Sequence, residues 1–212
     1  MMAIAAVKAN RRALSKQRRR QQLIDATINC ISKKGLGSLT LADVANEAGL
    51  SQGIVNLHFN SKDNLLNETL RFLAEDYDAQ FMQAVEATSP DAAATLLALM
   101  EMDLEPAICD RKKLAVWFAF WGEVKTVPTY QKICAVYNAK YISIMKELSQ
   151  RIIDEGNYED VDAQTVTDAL SALTDGMWLA CLVNPKGFDR GMALKSVAGY
   201  LRAVFPEHYN PH

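Results

Sequence analysis

Apolar residues recur at helical spacing along almost the whole chain, and no segment shows the strict alternation that is typical of a β-strand. Glycine, proline and asparagine interrupt the pattern at intervals and mark the ends of the segments. The pattern therefore predicts an all-α protein of about nine helices. The predicted helices cover residues 16–34, 41–48, 52–58, 62–87, 91–104, 110–125, 128–155, 162–183 and 188–204.

The pattern predicts two short helices, separated by only a few residues, between residues 39 and 62. Thr40 is a good N-cap for the first of them, whose apolar residues form one narrow stripe. Gly49 allows the positive φ of a tight turn, Leu50 fills the angle between the helices, and Ser51 is a good N-cap for the second helix. With the helix before them, these elements predict a three-helix domain that contains a helix-turn-helix.

The charge is distributed unevenly along the chain. Residues 1–62 contain ten Lys/Arg and three Asp/Glu, whereas the remainder contains thirteen Lys/Arg and twenty-two Asp/Glu. A basic N-terminal part suits a polyanion such as double-stranded DNA, and the acidic remainder does not.

In a helix-turn-helix, the second helix enters the major groove. Ile54, Val55 and Phe59 are assigned to the buried side, which leaves the polar residues of the helix for DNA. We expect contacts to base edges, to phosphates and, from one apolar residue, to the sugar edge. The predicted DNA-binding residues are Gln52, Gly53 and Asn56 for bases, Thr40, His58 and Lys62 for phosphates, Leu57 for the sugar edge, and the capping Ser51. The alternative is an ordinary helical hairpin with solvated polar residues.

The set of Thr40, residues 45–49, Ser51, Gly53, the pair His58-Phe59 and Lys62 resembles the tetracycline-repressor family. The resemblance implies a DNA-binding domain in the first three helices and a helical domain that binds a ligand and dimerises. It divides the chain into a basic arm at residues 1–15, a DNA-binding domain at 16–62 and a ligand-binding and dimerisation domain at 63–212. Residues 8–20 either contact DNA as an arm or form a solvated tail. One departure is Leu57, where an aromatic residue is common before the histidine.

Aromatic residues in the acidic part come in pairs one helical turn apart. Several electron-rich rings beside a carboxylate bind a quaternary ammonium group well, because the rings attract the cation and the acid supplies charge. The alternative for each ring is packing in the core or at a dimer interface. The predicted ligand-binding residues are Trp117, Trp121, Glu123, Tyr137, Tyr141, Asp175 and Trp178, with Glu101 and Asp103 as further candidate acids.

Residues 20–27, 115–123 and 173–179 are similar to segments of the repressors of choline-to-glycine-betaine synthesis. This resemblance implies a repressor that a choline-like cation releases from DNA. It also implies a homodimer, formed through the last two helices, that binds a palindromic operator. The alternatives are a repressor that senses another hydrophobic or cationic metabolite, and an architectural DNA-binding protein without a ligand.

The remaining sequence features argue against a metalloprotein, an enzyme and a membrane protein. The four cysteines are far apart without metal-ligand spacing, so we expect reduced core cysteines, no metal and no cofactor. The sequence contains no Ser-His-Asp order, no Cys-His pairing and no phosphate loop, so these motifs give no indication of an enzyme. The apolar runs are too short for a signal peptide or a membrane span, so we expect a cytoplasmic protein without membrane contact.

Overall fold

The computed structural model describes the backbone of residues 2–210 and the side chains of residues 14–210. Within that part of the chain it contains ten helices and no strand, which confirms the all-α prediction. Nine helices correspond to the predicted ones, and the tenth is a single turn that begins at Pro206. The helices are α1 (Met2–Lys34), α2 (Leu41–Glu47), α3 (Gln52–Phe59), α4 (Lys62–Thr88), α5 (Ala92–Asp103), α6 (Arg111–Glu123), α7 (Pro128–Gly156), α8 (Ala163–Val183), α9 (Arg190–Val204) and α10 (Pro206–Tyr209).

The first helix is longer than predicted. It begins at Met2 rather than near residue 16, so the segment that we expected to precede the helix as an arm is part of it. The side chains of Lys8, Arg11 and Arg12, which belong to that expectation, lie outside the described residues. Farther along α1, Leu23 is buried, while Ile28 is only half-buried.

The chain divides into two compact units, which are described separately. The first contains the described residues up to Leu73 together with Ala115–Tyr130, and the second contains Ala74–Leu114 and the described residues from Gln131 onward. Helices α4, α6 and α7 contribute residues to both units. The domain boundary after residue 62 stays a prediction.

In the first unit, α1 packs against α2, and α2 packs against α3. Two ion pairs join the end of α1 to α2: Lys33 Nζ lies 2.8 Å from Glu47 Oε2, and Lys34 Nζ lies 2.6 Å from Asp43 Oδ1. Exposed ion pairs contribute little to the free energy of folding, so burial of apolar side chains holds the three helices together. The buried apolar residues of this unit include Leu23, Ile24, Ile31, Leu39, Val44, Val55, Phe59, Leu65, Leu70, Val116 and Phe120.

In the second unit, α5, α8 and α9 pack together, and α10 packs against α9. Asp162 caps α8 by accepting a hydrogen bond from the backbone N–H of Thr165, and Asp91 and Asp189 cap α5 and α9 in the same way. The core includes Leu96, Leu99, Met100, Met145, Ile152, Leu170, Val197, Leu201 and Phe205. Among the described helices, α8 alone is long and apolar enough to pass a membrane-span criterion, which the core helix of a soluble protein also passes.

Candidate DNA-binding and effector sites

A capping box fixes the start of α2. Thr40 Oγ1 accepts a hydrogen bond from the backbone N–H of Asp43 at 3.1 Å, and Asp43 Oδ2 accepts one from the backbone N–H of Thr40 at 2.9 Å. Lys34 and Thr40 stabilise the carboxylate and lower the pKa of Asp43 to about 2. The first helix of the motif therefore keeps its cap throughout the physiological pH range.

The turn between α2 and α3 has the predicted backbone conformation. Gly49 has a φ of +64°, which only glycine adopts without cost. Ser51 occupies the N-cap position of α3, but its side chain makes no capping hydrogen bond. The prediction that the Ser51 hydroxyl caps α3 is therefore wrong. The first turn of α3 keeps its backbone N–H groups free of a side-chain cap.

Helix α3 has one buried face and one exposed face. Val55 and Phe59 are buried, whereas Ile54 is only half-buried. Leu57 is 73% exposed, so its side chain is accessible to another molecule. The predicted DNA-binding residues that are exposed are Thr40, Ser51, Gln52, Gly53, Asn56 and Leu57, and His58 and Lys62 are half-buried.

Packing within the protein does not require a glycine at position 53. A Cβ atom there would meet only Ser51 Oγ, at an ordinary contact distance of 3.8 Å. A small residue on an otherwise exposed helix face is useful when another molecule approaches the backbone closely. The lack of a packing reason for a glycine supports a role of Gly53 in DNA contact, which stays a prediction.

A buried carboxylate lies at the end of α5 in the second unit. Asp103 is fully buried, and within residues 14–210 it forms no ion pair. Three hydroxyl groups donate hydrogen bonds to its carboxylate oxygens. The donors are Tyr77 Oη at 2.7 Å, Thr174 Oγ1 at 3.1 Å and Tyr141 Oη at 3.3 Å. The indole Nε1 of Trp178 donates to the backbone carbonyl of Asp103 at 2.7 Å.

Four rings lie next to one another around this carboxylate, and we call Tyr77, Phe81, Tyr141 and Trp178 with Asp103 the aromatic box. The ring centroids of Tyr77 and Trp178 are 6.0 Å apart at an angle of 86°, and those of Phe81 and Tyr141 are 5.0 Å apart. The centroids of Tyr77 and Tyr141 are 6.3 Å apart. The rings come from α4, α7 and α8, so the box depends on the packing of three helices with α5.

Burial raises the pKa of Asp103 to about 7, because desolvation outweighs the hydrogen bonds from Tyr77, Thr174 and Tyr141, which favour the ionised form. Burial and the nearby carboxylate raise the pKa values of Tyr77 and Tyr141 well above their usual range. Both tyrosines therefore remain hydroxyl donors at neutral pH. The carboxyl group is the part of the box that titrates near physiological pH, and no cationic side chain within residues 14–210 forms an ion pair with it.

The structure brings two of the predicted ligand residues, Tyr141 and Trp178, into the aromatic box. Asp175 is exposed; partial desolvation still raises its pKa, and its charge contributes to the raised pKa of Asp103. Tyr137 is half-buried one turn before Tyr141, and Glu101 is exposed. The ligand role of Asp175 and of Tyr137 stays a prediction.

The other predicted ligand residues belong to the first unit. Trp117 and Trp121 are half-buried with ring centroids 6.0 Å apart, as their spacing of four residues predicts. Glu123 accepts a hydrogen bond from Thr126 Oγ1 at 3.0 Å. Their assignment to a ligand site also stays a prediction.

Sequence reasoning missed three members of the arrangement around Asp103. Tyr77 and Phe81 lie four residues apart on α4, the same spacing that drew attention to Trp117 and Trp121. Thr174, a threonine within an apolar run, had no distinguishing signal of its own. The paired rings on α4 could have been found from their spacing of four residues, as Trp117 and Trp121 were.

Comparisons with known proteins show which family the chain belongs to. A family profile described as bacterial regulatory proteins, tetR family, matches residues 23–69, and one described as the C-terminal part of the BetI-type transcriptional repressor matches residues 90–206. The HTH-type transcriptional regulator BetI of Burkholderia thailandensis is 32% identical over 86% of this chain and 91% of its own. BetI of Paraburkholderia xenovorans is 30% identical over 88% of this chain and 93% of its own.

Solved structures share the fold. A transcriptional regulator from Pseudomonas aeruginosa PAO1 has a TM-score of 0.80 at 24% identity, covering 92% of this chain and 95% of its own. One from Saccharomonospora viridis, solved in complex with choline, has a TM-score of 0.76 at 24% identity, covering 86% and 95%.

The chain therefore belongs to the TetR family of bacterial transcriptional regulators, whose N-terminal helix-turn-helix binds DNA. Within that family its C-terminal domain is of the BetI type, the type found in choline-responsive repressors. The predicted family membership is confirmed. The family consists of transcriptional regulators rather than enzymes.

Proposed function

We propose that this protein is a cytoplasmic transcriptional repressor that binds operator DNA through α3 and that a quaternary ammonium compound of the choline type releases it. The observation that carries the choice of effector is the buried Asp103, which has no cationic partner within residues 14–210 and lies among four aromatic rings. The family membership supports the DNA-binding half of the proposal. The choline complex of the Saccharomonospora viridis regulator supports the effector half.

The chemistry of the aromatic box favours a quaternary ammonium over other cations. Such a group has no N–H to donate, so it depends on ring faces and on a nearby charge. Each desolvated cation–π contact contributes about 2 kcal/mol, and the box offers rings from Tyr77, Phe81, Tyr141 and Trp178. The ionised Asp103 supplies the charge, and the cation offsets the cost of burying it. A primary ammonium would instead lose hydrogen bonds to water that the rings cannot replace.

We further propose that the protein binds a palindromic operator as a homodimer formed through α8 and α9. Leu179 is 46% exposed, Val183 is 69% exposed and Met192 is 57% exposed, and all three lie on these two helices or their ends. Exposed apolar side chains on neighbouring helices are typical of an interface between copies. A two-fold dimer presents two recognition helices to a symmetric site.

Helix α4 is the element through which the effector would act on DNA binding. It begins at Lys62, directly after the recognition helix, and it carries Tyr77 and Phe81 of the aromatic box. An effector changes DNA affinity only to the extent that it prefers one state of the protein. A hundredfold preference corresponds to about 2.7 kcal/mol.

The test is operator release measured with a neutral control. A duplex is selected from a random DNA pool, and its affinity for the protein is measured by fluorescence anisotropy with choline and with 3,3-dimethylbutan-1-ol. The alcohol has the shape of choline without its charge. We expect choline to weaken DNA binding at least about tenfold and the alcohol to have little effect, because only the cation pairs with Asp103. Unchanged DNA affinity in millimolar choline would contradict the effector, and no selectable duplex would contradict the whole proposal.

A further inference from the structure

His58, in the last turn of α3, has an unusual environment. The residue is half-buried, but its ring atom Nδ1 is fully buried and has no hydrogen-bond partner among the described residues. A buried polar atom without a partner is uncommon in a folded protein and requires a reason. His58 is also the only histidine of the first unit, because His208 and His212 lie near the C-terminus.

Among the residues whose side chains the structure describes, the charged groups that lower the pKa of His58 are all cations on α1. These groups are Lys16, Arg19 and Arg20. Arg20 is engaged elsewhere, because its guanidinium forms an ion pair with Glu68 and lies 4.7 Å from the centroid of the Phe59 ring. Lys16 and Arg19 are exposed, and neither forms an ion pair with any residue from 14 to 210.

The acids on the neighbouring helices do not compensate these cations. On α2, Asp43 pairs with Lys34 and Glu47 pairs with Lys33. On α4, Glu68 pairs with Arg71 as well as with Arg20. Desolvation, followed by the charges of the three α1 cations, lowers the pKa of His58, so that its ring is neutral at pH 7.

We propose that Lys16, Arg19 and His58 form one phosphate-binding site across α1 and α3, and that His58 takes up a proton when a DNA phosphate occupies it. This inference rests on the proposed DNA-binding function and adds pH regulation to it. A phosphodiester brings a negative charge next to the imidazole, which stabilises the protonated ring and offsets the repulsion from Lys16 and Arg19. The protonated ring is also a better donor to a phosphate oxygen than the neutral one.

The sign of the linkage follows from the two states. The pKa of His58 is lowered in the free protein and is higher in the complex, so the complex binds more protons between these two values. DNA affinity must therefore fall as the pH rises through that interval and be constant on either side of it. A difference of one pKa unit between the two states corresponds to about a tenfold change in affinity across the interval.

The experiment measures DNA affinity between pH 5.5 and 8 at fixed salt for the wild type, His58→Gln and His208→Gln. We expect the wild type and His208→Gln to bind about threefold to tenfold more tightly at the acidic end. His58→Gln should lose this difference. Other groups that titrate in this range, Asp103 included, are present in all three proteins and are removed by the comparison.

Calorimetry of the wild type in two buffers of different ionisation enthalpy measures proton uptake without any substitution. We expect uptake of a fraction of one proton near pH 7, less in the double variant Lys16→Gln/Arg19→Gln, and an unchanged value in the matched control Arg18→Gln. No uptake by the wild type, or equal pH dependence in His58→Gln, overturns the inference. Failure of the wild type to bind DNA at any pH instead overturns the proposed function.

Discussion

A change of pH between 6 and 8 should alter the affinity of the protein for choline through Asp103. The pKa of this carboxyl group is about 7, so the ionised fraction is about 10% at pH 6, half at pH 7 and about 90% at pH 8. If the cation binds only the ionised box, the apparent affinity is proportional to that fraction. We therefore expect choline to bind about tenfold more weakly at pH 6 than at pH 8.

Isothermal titration calorimetry of the DNA-free protein measures this dependence directly. Choline carries the same charge throughout the range, and Tyr77 and Tyr141 do not titrate there because burial raises their pKa values further. Asp103→Asn keeps the size of the side chain and removes its titration, so its residual affinity should be weak and independent of pH. A wild-type affinity that is constant from pH 6 to pH 8 would refute the reasoning, as would an equal pH dependence in Asp103→Asn.

Three further predictions follow from the same structure. Folding raises the pKa of Asp103 from 3.8 to about 7, so the folded protein binds this proton more tightly than the unfolded chain. The ligand-free wild type should therefore lose up to about 4 kcal/mol of stability as the pH rises from about 4 to about 7, and Asp103→Asn should not. Urea unfolding across this pH range measures both proteins. Thr40→Ala removes the capping box and should lower the free energy of unfolding by about 1 kcal/mol, whereas an unchanged urea midpoint would contradict the role of the cap. Leu179→Glu should convert the proposed dimer into a monomer in analytical ultracentrifugation, while Val136→Glu, which alters an even more exposed apolar residue on α7, should leave the proposed dimer intact.

The helix-turn-helix could be predicted in detail because its signals are local. The cap at Thr40, the positive φ at Gly49 and the buried spacing of Val55 and Phe59 each depend on a few neighbouring residues. The early start of α1 could also have been predicted, since residues 2–15 contain no proline or glycine and are rich in alanine. The absence of a capping hydrogen bond from the Ser51 hydroxyl could not have been predicted. Serine is a favoured residue at the N-cap position, but it can occupy that position without forming the hydrogen bond.

The aromatic box could be predicted only in part, because it is assembled by tertiary packing. Spacing indicates which residues of one helix share a face, but it does not show which helices meet; Tyr77 lies 26 residues from Asp103 in sequence and Thr174 lies 71. The exposure of Asp175 has a simple geometric cause. Thr174 and Trp178 are four residues apart and both buried, and one further residue rotates the side chain by about 100° to the exposed side.

The central claim is that the buried Asp103 binds a quaternary ammonium effector, and choline affinity in two matched variants tests it most directly. Asp103→Asn removes the buried charge, and Asp168→Asn removes an exposed one from α8. At pH 8 we expect Asp103→Asn to weaken choline binding by about a hundredfold, the order expected for one desolvated charge pair, and Asp168→Asn to change it less than about threefold. Equal affinity in the wild type and Asp103→Asn, with both proteins folded, would contradict the account.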